Sequence, residues 1–355
     1  MKSQVFFIPA TREDGNEVLA EKAEKIFLKI GLRSQIEKKS FVAMKIHFGE
    51  KGNTGFIKPP WIVKIINQIK GITSRVFLTD SNTLYVSKRS NSLEHLSLAR
   101  EHGFIQETLG VPVIIADGLI GRDDDEIQVN LSRIKSAKIA GAILDSDILV
   151  CLTHFTGHIL TGFGSAIKNL GMGCASRAGK LEQHSDVHPW VNPKLCDNCG
   201  VCFNYCPSQA IVEKGDSAFI VEEKCIGCGE CLVVCNSGAV KFNWDSDSVR
   251  VQEKMSEYAF SVLKHLKGKI SFINFLIKVT KDCDCMSNGQ QDIVEDIGIL
   301  GSHDPVAVDQ ASVDLVNKRS GKDILRAGYD LDWSVQLSHG VKIGLGNRDY
   351  ELIEL

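Results

Sequence analysis

The chain has 355 residues, of which 43% are hydrophobic and 24% are charged, and its formal net charge at pH 7 is −3. This composition is typical of a soluble globular protein of about two domains, and the charge gives no reason to expect nucleic acid or an anionic membrane as a partner. No apolar run approaches the ~20 residues that span a bilayer, and the N-terminal sequence lacks the apolar core and cleavage site of a signal peptide. We therefore expect a cytoplasmic protein whose twelve cysteines act as metal ligands rather than in disulfides.

Strands and helices alternate along the first half of the chain. The predicted strands lie at residues 4–9, 41–48, 75–81 and 111–117 and within 142–155, and the predicted helices lie at residues 17–32, 60–70 and 92–103. This alternation predicts an α/β sheet with helices on its faces.

Two copies of a cysteine motif follow, at residues 196–206 and 225–235. Each copy has the spacing C-x2-C-x2-C-x3-C, and a glycine, Gly200 or Gly229, follows its second cysteine. Three thiolates at this spacing can bind three corners of an iron–sulfur cubane, and glycine lets the backbone approach the inorganic sulfides. Two zinc sites are the alternative, although zinc usually takes paired C-x2-C motifs and the third cysteine fits such a site poorly.

The segment with both motifs resembles a bacterial ferredoxin that carries two [4Fe–4S] clusters. The resemblance implies that the fourth cysteine of each motif ligates the cluster of the other motif. It assigns Cys196, Cys199, Cys202 and Cys235 to the first cluster and Cys225, Cys228, Cys231 and Cys206 to the second. Pro207 follows the first motif as this family expects, whereas Asn236 takes the place of proline after the second.

After the cysteine motifs the α/β pattern resumes. Helices are predicted at residues 251–268 and 304–319, and strands are predicted at residues 270–280 and 293–300. Asp304 and Pro305 stand at the N-cap and first position of the second helix. Because this C-terminal part has few strands to bury by itself, we expect it to complete the sheet that the first 190 residues begin.

The predicted organisation is therefore an open mixed sheet flanked by helices, with a small α+β ferredoxin-like domain inserted into it. Residues 1–190 and 246–355 form the first domain in this interpretation, and residues 191–245 form the insert. The chain as a whole resembles the DUF362 family, an uncharacterised α/β family whose members often carry ferredoxin inserts. The likeness lies in KIHFGE (45–50), LTDSN (78–82), CLTHFTGH (151–158), AIKNLGMGCASRAGK (166–180), DCDC (282–285) and DIGILGSHDPVAVDQA (296–311). It implies the fold and a polar cleft but no reaction.

Polar side chains follow several predicted strands, where open α/β sheets bind their ligands. These residues are His47, Glu50, Asp80, Asn82, His154, His158, Cys283 and Cys285. The candidate catalytic residues are His47, His154, Lys168, Cys283 and Cys285. The alternative role for His47 and His154 is to cap strand ends through backbone hydrogen bonds, and for Lys168 it is that of a solvated helix residue.

Cys283 and Cys285 lie outside the two motifs, and on an extended segment their side chains face the same side. We expect two free thiolates, because a disulfide between them would close a strained ring and disulfides are rare in a reducing cytosol. Such a pair suits an additional soft metal or a redox reaction, with Cys174 or His184 as a further ligand. The alternatives are free thiols at a strand end and a solvated linker around His184 and His188.

Three functions are compatible with these residues. In the first, two clusters pass electrons between a redox partner protein and a small molecule in the α/β cleft. The second is a plain electron carrier, and the third is a non-redox binding or metal-handling module in which the clusters are structural. A dedicated carrier has no need of so large an α/β domain, so we expect the first. The substrate stays unknown, since no nicotinamide or flavin fingerprint is visible.

Overall fold

The structure is a computed structural model that describes residues 2–185, 188–243, 247–287 and 291–355. Its strands are β1 (Ser3–Pro9), β2 (Val42–Ile46), β3 (Val76–Asp80), β4 (Val113–Ile115), β5 (Asp124–Gln128), β6 (Ser136–Ala140), β7 (Ile148–His154), β8 (Thr156–His158), β9 (Gly162–Gly164), β10 (Trp190–Val191), β11 (Ile211–Lys214), β12 (Ser217–Ile220), β13 (Val240–Lys241), β14 (Ile270–Leu276), β15 (Gly298–Ser302) and β16 (Tyr350–Glu354).

The α-helices and short 3-10 helices connect these strands. The α-helices are α1 (Gly15–Ile30), α2 (Val63–Lys70), α3 (Ser92–Glu101), α4 (Gln106–Leu109), α5 (Gly141–Leu144), α6 (Ala166–Gly171), α7 (Arg177–His184), α8 (Val201–Tyr205), α9 (Glu230–Val234), α10 (Ser248–His265), α11 (Pro305–Ser320), α12 (Ile324–Gly328) and α13 (Val335–Ile343). The 3-10 helices are Arg12–Asp14, Leu32–Gln35, Pro59–Ile62 and Glu222–Lys224. Within the described ranges, no helix combines the length and the apolar character that crossing a membrane requires.

One mixed sheet of eight strands, in the order β16-β1-β15-β14-β7-β2-β3-β4, forms the centre of the fold. Strands β14, β7, β2, β3 and β4 run parallel to one another. Strand β15 is antiparallel to both β1 and β14, and β16 runs parallel to β1. The predicted α/β class with an open mixed sheet is confirmed, and the sheet takes strands from both sides of the cysteine motifs.

Helices cover both faces of the sheet, so the central strands β2 and β7 are buried along their whole length. Met44 and Ile46 pack in the same hydrophobic cluster as α1 and α2. Ala43 and Leu149 point to the other face, in a cluster with α6, α10 and α11. This alternation follows from the pleat of a strand, which directs successive side chains to opposite faces. Full burial of one Leu- or Ile-sized side chain contributes about 1.5–3 kcal/mol, so these two layers hold the sheet together.

Most of the predicted elements are present. The N-cap of α11 is confirmed, because the Asp304 carboxylate accepts hydrogen bonds from the backbone N–H groups of Val306 and Ala307. Strand β15 begins at Gly298, later than its predicted start at residue 293. Strand β16 was not predicted, because YELIE shows neither a continuous apolar run nor strict alternation, and three of its five residues are exposed.

The segment from residue 188 to residue 243 lies outside the eight-stranded sheet. It contains α8, α9 and two small sheets, formed by β10 with β13 and by β11 with β12, and it has a hydrophobic cluster of its own that includes Ile211, Ile220 and Leu232. The chain enters and leaves it side by side, because the N–H of Asn192 donates to the carbonyl of Ala239 at 2.8 Å. The predicted domain boundary at residues 245–246 includes residues outside the described ranges.

A buried ion pair attaches this segment to the rest of the protein. The guanidinium of Arg177, at the start of α7, contacts the carboxylate of Glu230, at the start of α9. Arg122 approaches the same carboxylate, with Nε 3.6 Å from Oε1. Removing one partner of a buried ion pair leaves an uncompensated charge and costs about 3–5 kcal/mol. The cysteine segment is therefore fixed against the sheet domain through Glu230.

The topology predicts that residues 1–190 do not fold alone. In that fragment β1 loses both of its neighbours, β15 and β16, and β7 loses β14. We expect the fragment to show no cooperative thermal unfolding by circular dichroism and to be digested rapidly by proteases.

The matched control is a full-length chain in which a short glycine–serine turn replaces residues 193–238. It keeps all eight strands, so we expect cooperative unfolding, at a lower Tm because Glu230 no longer compensates Arg177. Cooperative unfolding of the 1–190 fragment to the same extent as this control would contradict a sheet that depends on both halves of the chain.

Candidate functional site

A cavity of about 530 Å³ lies at the carboxyl ends of the parallel strands. His47 directly follows β2, Asp80 ends β3 and His154 ends β7, and all three line the cavity. Cys283 and Cys285, in the segment after β14, also line it. Because parallel strands end at one edge of a sheet, residues from four distant parts of the sequence meet here, as predicted from the rule for open α/β sheets.

Helices and loops add further side chains to the cavity, some of which the sequence analysis did not single out. The predicted candidates Lys168, from α6, and His184, from the end of α7, both line it. Residues not selected from the sequence are Lys45, Tyr85, Arg89 and Lys180. Cys174, proposed as a third thiolate, lies instead in the hydrophobic core beside the cavity, where burial raises the pKa of its thiol to about 12.

The alternative of a solvated linker is wrong for His184. Helix α7 continues to His184, because Ser176 caps its start and Leu181 anchors it in the hydrophobic cluster of the cysteine segment. Burial, followed by the charges of Lys168 and Lys180, lowers the pKa of His184 to about 3. His188 lies beyond the helix and is exposed.

Asp80 is the centre of a buried network of charges in the cavity wall. Its Oδ1 lies 2.9 Å from Nζ of Lys45, and its Oδ2 lies 3.7 Å from Nη1 of Arg89. Nε of Arg89 lies 3.1 Å from Oε2 of Glu50. Burial acts to raise the pKa of Asp80, but the charge of Lys45 and its other neighbours outweighs burial and holds the pKa well below its usual range. The network is therefore ionised and internally compensated.

His154 is held by hydrogen bonds at both ring nitrogens. Nδ1 donates to Asp284 Oδ2 at 2.9 Å, and Nε2 donates to the carbonyls of Ile277 and Lys278 at 2.9 and 3.1 Å. Burial acts to lower the pKa of His154, but the charge of Asp284 and these hydrogen bonds raise it above its usual value. The imidazolium therefore joins the end of β7 to the segment after β14, and neither nitrogen is left for a ligand.

His47 and His158 are neutral hydrogen-bond donors to the cavity. Nδ1 of His47 accepts the N–H of Gly49 at 3.0 Å, and Nδ1 of His158 accepts the N–H groups of Leu160 and Thr161 at 3.2 Å each. A ring nitrogen that accepts a backbone N–H carries no proton, so the proton of each neutral imidazole lies on Nε2. Burial lowers the pKa of both histidines, which keeps them neutral.

The expectation of two free thiolates at Cys283 and Cys285 is corrected by the structure, which joins them in a disulfide. The segment is not extended as predicted, because the N–H of Met286 donates to the carbonyl of Cys283 and closes a turn. The turn brings the two Cα atoms to 5.3 Å, closer than the ~6.6 Å of an extended strand. Asp284, at the centre of the turn, is held by His154. Binding of an additional metal by Cys283 and Cys285 stays a prediction, and it requires that the disulfide be reduced to two thiols.

The two cysteine motifs are interleaved in space. Cys196, Cys199, Cys202 and Cys235 line one small cavity, so the last cysteine of the second motif lies with the first three of the first motif. Burial, followed by the charges of Cys235, Cys196 and Cys199, raises the pKa of Cys202 to about 11. In the other group, burial and the charges of Cys228, Cys225, Cys202 and Cys206 raise the pKa of Cys231.

Backbone amides donate to the cysteine sulfurs in matching positions of the two motifs. The N–H of Ala210 lies 3.2 Å from Sγ of Cys206, and the N–H of Ala239 lies 3.1 Å from Sγ of Cys235. For Cys235, burial acts to raise the pKa, but the hydrogen bonds from Ser237 and from backbone amides outweigh it and lower the pKa. Among the described residues, no group of three or more His, Cys, Asp or Glu side chains is arranged to hold a single metal ion.

The ion pair between His154 and Asp284 predicts a pH-dependent loss of stability in His154→Gln. The pKa of His154 is raised on folding, so its stabilisation is complete below about pH 6.5, its unperturbed value, and is lost as pH rises through the folded pKa. At pH 6 we expect the variant to lower the free energy of unfolding by about 3–5 kcal/mol, because it leaves Asp284 buried and unpaired.

Urea unfolding at pH 6 and pH 9 measures this effect, and the difference between variant and parent should be smaller at pH 9. His265→Gln is the matched control, because His265 is exposed and surface changes usually stay within about 0.5 kcal/mol. Equal losses for His154→Gln at both pH values would show that its charge does not contribute.

Comparison with known proteins places the chain in a family. No relative among curated proteins matches it. Two solved structures are similar: the lactate racemase apoprotein from Thermoanaerobacterium thermosaccharolyticum (12% identity, TM-score 0.48, 90% of this chain and 58% of that one) and a Thermotoga maritima protein (9% identity, TM-score 0.44, 87% and 59%). The chain thus spans less than two thirds of the length of either. Its sequence matches the family described as "Domain of unknown function (DUF362)" over residues 42–314, which is most of the chain. The protein therefore belongs to the DUF362 family.

Proposed function

We propose that the chain binds two [4Fe–4S] clusters and exchanges electrons between a redox partner protein and a small molecule in the 530 Å³ cavity. The observation that carries this proposal is the interleaving of the motifs. Cys235 lies with Cys196, Cys199 and Cys202 around one small cavity, which is the crossed arrangement of ligands in ferredoxins with two clusters. When bound, such clusters supply one-electron redox chemistry.

The residues of both motifs fit this group. Gly200 and Gly229 have φ angles of 73° and 74°, a conformation that glycine adopts without strain where the backbone must turn close to a ligand. The amides of Ala210 and Ala239 donate to cysteine sulfurs, an interaction that adjusts the potential of iron–sulfur clusters. The second cluster would be held by Cys225, Cys228, Cys231 and Cys206.

The third cysteine of each motif favours clusters over the alternative of zinc. Zinc sites usually take paired C-x2-C motifs, whereas three thiolates at C-x2-C-x2-C spacing can bind three irons of one cubane.

The second motif lies against the wall of the cavity. A Cβ atom at Gly229 would lie only 3.2 Å from a methyl group of Leu84, and Leu84 also lines the cavity. Glu230, the next residue, is anchored by Arg177. These contacts support a redox centre beside the proposed substrate site.

The second candidate is a non-redox binding or metal-handling module in which the clusters are structural. The buried ion pair of Glu230 with Arg177 favours it, because this pair makes the cysteine segment part of the support for the cavity wall. In this case the clusters would stabilise the segment without changing their oxidation state.

We predict about eight irons and eight sulfides per chain after anaerobic reconstitution, from two cubanes. Iron and sulfide analysis together with EPR of the reduced protein tests this. Four irons or fewer would contradict two clusters, and two zinc ions per chain with no iron would favour the alternative. Clusters that are reduced and reoxidised reversibly support the redox function, whereas clusters inert to reductants support the structural one.

The crossed ligands predict which cluster each substitution damages. Cys206→Ser should reproduce the EPR spectrum of Cys228→Ser, because both residues belong to the second cluster in this assignment. Cys235→Ser is the matched control and should reproduce the spectrum of Cys199→Ser. If Cys206→Ser resembles Cys199→Ser instead, each motif holds its own cluster and the assignment fails.

A further inference from the structure

We infer that the 530 Å³ cavity binds a small molecule through an anionic oxygen group of the carboxylate or phosphate class, with Lys168 as the charged anchor. The inference rests on the proposed function only in calling this molecule the substrate. The binding site itself follows from the charges and hydrogen-bond donors that line the cavity.

Several charged side chains in the cavity wall are already paired with one another. Lys45 is paired with Asp80 at 2.9 Å, and Arg89 is paired with Glu50 at 3.1 Å. His154 is compensated by Asp284 at 2.9 Å. The acidic side chains of the cavity wall are therefore already in contact with cations, and they are not available to a further cation.

Lys168 is different from these cations. Across residues 2–185, 188–243, 247–287 and 291–355, its ammonium group has neither a carboxylate within 4 Å nor a hydrogen-bond acceptor, although its side chain lines the cavity. Lys180 also lacks a carboxylate partner in those ranges, and its Nζ donates to Ser81 Oγ at 2.5 Å and to the carbonyl of Ala175 at 2.6 Å. Partial burial of the Lys168 ammonium without a counter-ion is costly, and an anionic ligand supplies the missing charge.

Two neutral histidines add hydrogen-bond donors to the cavity. His47 and His158 each use Nδ1 to accept backbone N–H groups, which leaves the proton on Nε2. Nε2 of each ring is the nitrogen left to the cavity that both residues line. Together with the Lys168 ammonium, these groups provide donors from three different elements, while the ligand must provide the acceptors. Carboxylate and phosphate oxygens are the acceptors that form the strongest hydrogen bonds with such donors.

The walls and the size of the cavity describe the rest of the ligand. Leu152, Leu160 and Met172 supply apolar surface beside the polar groups. A volume of about 530 Å³ lies within the range of sites that hold small organic molecules and is far larger than one inorganic anion needs. The ligand class is therefore a small organic acid or phosphate ester with an apolar part.

The charge of Lys168 gives this site a pH dependence. Burial, followed by the charge of Arg89, lowers the pKa of Lys168 to about 8, so anion binding should weaken as pH rises through this value. The titratable and charged groups that act on Lys168 are Arg89, Asp284, Lys45, Asp80, His158 and His184. The histidines are neutral on both sides of pH 8 and the carboxylates are ionised, whereas burial also lowers the pKa of Lys180, which lines the same cavity, to about 8. The alkaline loss therefore reflects both lysines, and Lys168→Arg isolates the part that belongs to Lys168.

The test uses the full-length protein and two probes, sodium oxalate and inorganic phosphate, at constant ionic strength maintained with sodium chloride. Isothermal titration calorimetry at pH 7 should detect binding of at least one probe to the parent. Lys168→Gln should weaken that binding at least tenfold. Lys318→Gln, which removes an exposed lysine of α11, is the matched control and should leave the Kd unchanged.

Lys168→Arg separates charge from structure. The guanidinium stays protonated at all working pH values, so this variant should bind the probe and should keep binding above pH 8, where the parent loses it. Binding of oxalate alone assigns the carboxylate class, and binding of phosphate alone assigns the phosphate class. Absence of binding to the parent, equal binding by Lys168→Gln, or the same alkaline loss in Lys168→Arg would each overturn the inference.

The outcome is independent of the clusters, because calorimetry detects the anion whether or not iron is bound. If iron analysis fails and the anion binds, the redox proposal falls while the anion site stands. If iron is present and no anion binds, only this inference falls.

Discussion

The parallel pairing of β14, β7, β2 and β3 is the constraint on which the candidate site depends. It places four strand ends at one edge of the sheet, and each end carries a polar residue or leads directly into one. The positive charges of Lys45 and Arg89 are compensated within the same wall, because both side chains contact Asp80. A buried carboxylate of this kind fixes the positions of two long cationic side chains that would otherwise have many rotamers. The cavity is therefore formed by the backbone topology and kept open by a small network of charges.

The cysteine segment and the cavity have part of their wall in common. Residues Thr83 and Leu84 contact the cysteine segment, through Arg177 and Gly229 respectively, and the same stretch leads into Tyr85 and Arg89 of the cavity. The cysteine segment is thus a structural neighbour of the cavity, and not a separate body on a linker. This contact is compatible both with electron exchange and with a purely structural role of the segment. For this reason the reversible redox cycling of the proposed clusters is the property that decides between the two proposals.

The features that could be predicted from the sequence are those that depend on local sequence patterns. Apolar runs located the strands of the sheet other than β16, and Asp304 located the start of α11. The residues at the ends of β2, β3 and β7 were selected as a site because strand ends converge. Arg89 and Lys180 were missed, since nothing near them in the sequence shows that tertiary packing buries them beside Asp80. The only available signal for Lys180 was its place in the family-like segment 166–180.

Other errors came from assuming the wrong local conformation. Cys283 and Cys285 were treated as part of an extended strand, and a turn stabilised by the N–H of Met286 changed the distance between them. A solvated linker was the alternative to a ligand role for His184, but Leu181 packs in a hydrophobic cluster and α7 extends to His184. A local hydrogen bond decided the first conformation, and a contact distant in sequence decided the second.

The pairing of β1 with β15 has a consequence for how the protein is made. Phe6 of β1 lies opposite Gly301 of β15, so β1 has no partner in the sheet until synthesis has passed β15, about 290 residues later. Contacts this distant in sequence slow folding, and during that time the edges of β1 and β7 are unpaired and open to association with other chains. The cysteine segment, with its own hydrophobic cluster, is complete well before β14 and β15 appear. Its assembly can therefore precede closure of the sheet, and Arg177 would then find Glu230 already in place when the final strands fill the gap between β1 and β7.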